Sequence, residues 1–83
     1  MDIDLEMIRA RFDDVLSGKC TREEASDWAR QLRESNDARD LVVTPKSDWK
    51  RVWDAIGFLE GYDMKNSPNE YLFAEVDLIA ERP

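Results

Sequence analysis

Apolar residues recur at helical spacing in three stretches of the chain. In the first, Leu5, Ile8, Phe12, Val15 and Leu16 fall on one face of a helix predicted over about residues 4–17. Asp2 or Asp4 suits its N-cap, and Ser17-Gly18 suits its end. In the second, Thr21-Arg22-Glu23-Glu24 has the form of a capping box, and Ala25, Trp28, Ala29 and Leu32 follow on one side. That predicts a helix over about 22–34, with small alanines that let a neighbour approach. In the third, Trp49, Val52, Trp53, Ile56 and Leu59 form a stripe over about 46–60. Thr44-Pro45 offers a cap with proline at the first helical position, and Gly61 marks the end. Trp28, Trp49 and Trp53 all lie on these stripes, so all three are expected in the core. Gly57 costs about 1 kcal/mol relative to alanine inside a helix, which predicts close packing there.

The remaining segments are less regular. Leu41-Val42-Val43 is β-prone but has no obvious strand partner, so residues 36–44 read as a loop covering the open end of the core. An extra helical turn over about 37–41 is the alternative. Ser67-Pro68-Asn69-Glu70 reads either as a further capping box or as the approach to an extended Tyr71-Leu72 with a helix from near Ala74. In both cases Leu72, Val76 and Ile79 share a side, and a short helix ends near Glu81. No stretch alternates with period two for long enough to make a sheet. The expected fold class is all-α: a small compact bundle of three main helices plus a shorter C-terminal helix, forming one domain over residues 1–83.

Composition narrows the chemistry. There are 19 Asp and Glu against 12 Lys and Arg, net −7, with no histidine and one cysteine. Without histidine the common nucleophile–base systems and the commonest metal ligand are missing, so no enzyme activity, metal or cofactor is expected. Cys20 precedes a helix start but has no second cysteine to pair with. The acidic Met1–Glu6 segment has no apolar run, and no stretch approaches a membrane span, which predicts a cytoplasmic protein. The arginines are interleaved with acids, and Arg9 with Asp13 and Arg30 with Glu34 stand at ion-pairing distance along their helices. A net negative chain is expected to repel phosphates, which argues against direct nucleic-acid or membrane binding.

On the third helix, Phe58 falls opposite the apolar stripe, on nearly the same outward face as Arg51, Asp54 and Tyr62. Asp54, Phe58, Glu60, Tyr62 and Asp63 therefore form the expected partner-binding surface, aromatic anchors among charges. The competing expectation is that Phe58 packs under the 36–44 loop or the last helix.

Several of these segments resemble a group of small, uncharacterised, acidic helical bacterial proteins. They are Phe12-Asp13-Asp14-Val15-Leu16-Ser17-Gly18, Thr21 to Ala29, Trp53 to Leu59 with Gly61-Tyr62-Asp63, and Tyr71-Leu72. The group is similar to the immunity proteins encoded beside polymorphic or contact-dependent toxins. Leu41-Val42-Val43 and Ile79, where the group often has tryptophan, depart from its pattern. The resemblance implies an immunity protein that neutralises a basic toxin such as a nuclease; with the acidic, histidine-free composition, the expectation is a non-enzymatic binding protein, a monomer or weak dimer. The alternatives are a small regulatory, adaptor or phage-type inhibitor protein, or a homodimerising structural domain.

Overall fold

The computed structural model describes residues 2–83. Asp2–Ile3 forms a short strand, β1, and Asp4 then caps helix α1, Leu5–Leu16, by accepting a hydrogen bond from the Met7 amide at 2.9 Å. The chain leaves α1 through Ser17 and Gly18, whose φ of +82° suits a residue without Cβ. Helix α2, Arg22–Asp37, starts with the capping box: the Glu24 amide donates to Thr21 Oγ1, and the Thr21 amide donates to Glu24 Oε1. It runs a turn beyond the expected end and stops where Arg39 takes the left-handed conformation, φ +60°. There Arg39 and Asp40 donate backwards to the Asn36 and Ser35 carbonyls, closing the helix end.

Val42–Val43 is a strand, β2, and it does have a partner: β1, in parallel register, Asp2 opposite Val42 and Ile3 opposite Val43. The Thr44 amide extends the pairing to the Ile3 carbonyl. The third helical stretch opens with a 3-10 turn at Lys46–Asp48 and continues as helix α3, Trp49–Glu60. Lys65–Ser67 and Glu70–Tyr71, strands β3 and β4, make a small antiparallel hairpin, and helix α4, Glu75–Glu81, follows. The extended route into the last helix is thus the one taken. The chain is mostly helical and compact, so the all-α expectation holds in outline, and two small sheets are added to it.

The largest helix–helix interface joins α2 to α3, with α1 packed across α3. Ala25, Ser26 and Ala29 are buried on α2 and admit Val52, Ala55, Ile56 and Leu59 of α3 at close range. Ile8 and Phe12 of α1 complete the centre, and Ile3, Leu41 and Val43 close one end. Gly57 is the opposite of what its position suggests: it is exposed, and a Cβ built there meets nothing. On α4 the buried residue is Leu78, whereas Leu72, Val76 and Ile79 face outward. Among the described residues no helix is long and apolar enough to cross a membrane.

Candidate functional site

Two regions of α3 are candidates for a functional surface: the expected one around its C-terminal end and a second at its start. Tyr62 is not outward-facing: it is 1 % exposed, because α3 ends at Glu60 and the turn after it swings the ring inward. The Arg22 guanidinium lies 4.2 Å from the Tyr62 ring centroid and 4.1 Å from that of Tyr71. Arg22 Nη1 also donates to the Tyr62 and Phe73 carbonyls, at 3.2 and 2.6 Å. Burial pushes the Tyr62 hydroxyl's pKa up, with Arg22 pulling the other way. Phe58 is half-buried against Phe12, Tyr62 and Phe73, so the segment leading into α4 covers the side of α3 expected to be open.

The acids at this end are also engaged. Glu60 pairs with Arg33 at 2.8 Å. Buried Ser26 donates its hydroxyl to the Glu60 carbonyl at 2.8 Å and sits 3.1 Å from Asp63 Oδ1. Asp54 alone is fully outward, paired with Lys50 at 3.0 Å. The structure therefore divides the five residues among a buried aromatic cluster, an interhelical lock and a surface ion pair. Sequence reasoning missed Arg22 and Ser26, because their partners lie 34 to 51 residues away.

The ion pairs are redistributed as well. Arg9 approaches Glu6 rather than Asp13, Arg30 pairs with Asp27 rather than Glu34, and Arg82 forks onto Asp13 at 2.8 and 3.0 Å. That fork holds the Asp13 carboxyl below its ordinary range. The Tyr71 hydroxyl donates to Glu23, lowering the pKa of Glu23 and raising that of Tyr71. Cys20 is buried, with Arg11 Nη1 at 3.6 Å from its sulfur. Among the described residues no three Cys, Asp or Glu side chains gather into a group that could hold a metal ion.

The second region is the start of α3. Lys46, Lys50 and Arg51 lie within two turns, with Asp48 the one acid among them. Among the described residues Lys46 and Arg51 have no carboxylate partner. Neither the 3-10 turn nor α3 has a side-chain cap at its start, so the helix's first amides add their positive end to these charges. Trp49 is 45 % exposed here, contrary to its expected place in the core. It rests edge-on against Trp53, 5.3 Å between ring centroids at 63°. The Trp53 indole N–H is buried without a protein partner. Trp49, Lys46, Leu41, Val42 and Val43 together line an almost wholly apolar hollow of about 350 Å³. Arg51 stands beside a second, more polar hollow that it shares with Arg9 and with three acids, Asp4, Glu6 and Asp48.

The family model described as "YxzC DNA-binding protein" matches residues 2–81. The chain belongs to the YxzC family. It is also similar to the uncharacterised protein YxzC of Bacillus subtilis (strain 168), 38 % identical over 68 residues, covering 82 % of this chain and 50 % of that protein. The chain thus spans about half the length of this curated relative. No solved structure matches. YxzC membership corrects three expectations. The likeness to toxin immunity proteins does not hold, since the match over nearly the whole chain is to a different family, one described as DNA-binding. The basic toxin partner falls with it. So does the exclusion of nucleic acid, which relied on net charge, a sum over the molecule that overlooks where Lys46, Lys50 and Arg51 gather.

Proposed function

We propose that this chain is a cytoplasmic, non-enzymatic DNA-binding module with a regulatory role, and that it meets DNA with the start of α3. The observation that supports this reading is the family match over residues 2–81. The basic end of α3 supplies a physical route. At physiological ionic strength charges are screened beyond ~8 Å, so phosphates at this end respond to Lys46, Lys50 and Arg51 and to the nearby acids Asp48 and Asp54 more than to the acids elsewhere on a molecule 38 Å long. Lys50 is held only by an exposed pair with Asp54, worth ~0.3–0.5 kcal/mol, and is readily redirected to phosphate.

Fluorescence anisotropy with labelled DNA across a salt series tests the proposal. Three phosphate contacts predict a slope of log K against log salt of roughly −2.7 for duplex, and about −2 for a single strand. The double variant K46E/R51E should lose at least tenfold in affinity, whereas Arg30→Glu, on α2, should change it little. Absence of binding at about 50 mM salt would overturn the reading.

A further inference from the structure

The start of α3 is shaped for something other than a duplex. A helix that reads the major groove needs a polar or cationic face along its length, and the groove's ~12 Å width brings phosphates to both flanks. After its first turn α3 exposes Asp54 and Gly57, and its next side chains are spent on packing. The exposed side of α2 carries Glu23, Glu24, Asp27 and Glu34, and its two exposed arginines, Arg30 and Arg33, are already paired with Asp27 and Glu60. Neither helix can lie along a groove without setting carboxylates against phosphate. What the cationic end does offer is a concave apolar hollow with an exposed indole on its wall. Duplex DNA has nothing to put there, because its base faces are stacked on one another. A single strand does: an unstacked base presents a flat π-face, and stacking on an aromatic side chain is the usual way such strands are held.

Resting on the DNA-binding reading, we infer that the ligand of this end is single-stranded DNA, with one unstacked base lodged against Trp49 over Val42 and the adjoining phosphates on Lys46, which lines the same hollow, and on neighbouring Lys50. Trp53 braces Trp49 from behind, so the stacking surface is set before the ligand arrives. Charge and shape agree: the apolar wall takes the base, and the cations beside it take the backbone.

The test is anisotropy with three labelled ligands: an oligothymidine of about twelve nucleotides, the same strand with abasic sites, and a duplex of equal length. The oligothymidine should bind about tenfold more tightly than either other ligand and quench tryptophan fluorescence. Trp49→Ala should remove that preference with unchanged circular dichroism, and Trp49→Phe should keep affinity within about threefold while losing much of the quench. The abasic comparison uses unaltered protein, so it decides the matter even if Trp49→Ala unfolds. Duplex bound as tightly as the single strand, or equal binding of the abasic strand, overturns this inference and leaves the DNA-binding reading standing. If none of the three ligands binds at low salt, both fall.

Discussion

Gly57 occupies the middle of α3 with its α-hydrogens toward solvent, and no neighbour requires the missing side chain. Gly57→Ala should therefore stabilise the protein by about 1 kcal/mol, read as a higher urea midpoint at constant slope. The same residue shows what single positions conceal. Helical spacing says which residues share a face, but not how many faces the rest of the chain will cover. Phe58 illustrates this: the helical wheel points it away from the Val52–Ile56 stripe, and Phe73 then packs against it from 15 residues downstream. Tyr62 was illegible for another reason. The wheel no longer applies once α3 has ended at Glu60. Trp49 was misplaced because a stripe's first member lies where the core runs out.

Elements were more legible than residues wherever their signals were local. The capping box of Thr21 and Glu24, the Asp4 cap and the left-handed Gly18 are each readable from a few adjacent positions, and the structure contains each. The β1–β2 pair was not readable, since two-residue strands 40 positions apart carry no pattern of their own. The capping box also carries a pH signature. The Thr21 amide holds the Glu24 carboxyl below its ordinary value of 4.5. A carboxyl more acidic in the folded than in the unfolded chain contributes stability above the unfolded value and loses it as pH falls through the folded one. The melting temperature should therefore drop below about pH 4.5, and Glu24→Gln should lower it at neutral pH while flattening that acid limb.

At the scale of the whole molecule, charge is the property that the sequence stated correctly and that reading misapplied. Net −7 sums over the whole surface, whereas a contact with DNA is decided by the charges within a few ångströms of it. The two scales can be separated by experiment. At ~0.01 M salt the Debye length is ~30 Å, comparable with the 38 Å long axis, and the distant acids then act against DNA as well. The linear salt dependence of binding should flatten or reverse in that range, and a steady gain in affinity down to ~0.01 M would contradict it.

Arg22 has a consequence for motion. Its one side chain, on the first turn of α2, grips the carbonyls of Tyr62 and Phe73 and lies between the rings of Tyr62 and Tyr71. It works as a buckle on a strap: the segments entering and leaving the hairpin are fastened at its root by the same group. Undoing the buckle should let the strap peel while the rest stays shut. Arg22→Ala should accelerate amide exchange over residues 64–81, leaving the amides of α1 to α3 slow. Uniform acceleration across the chain would mean instead that strap and body open together.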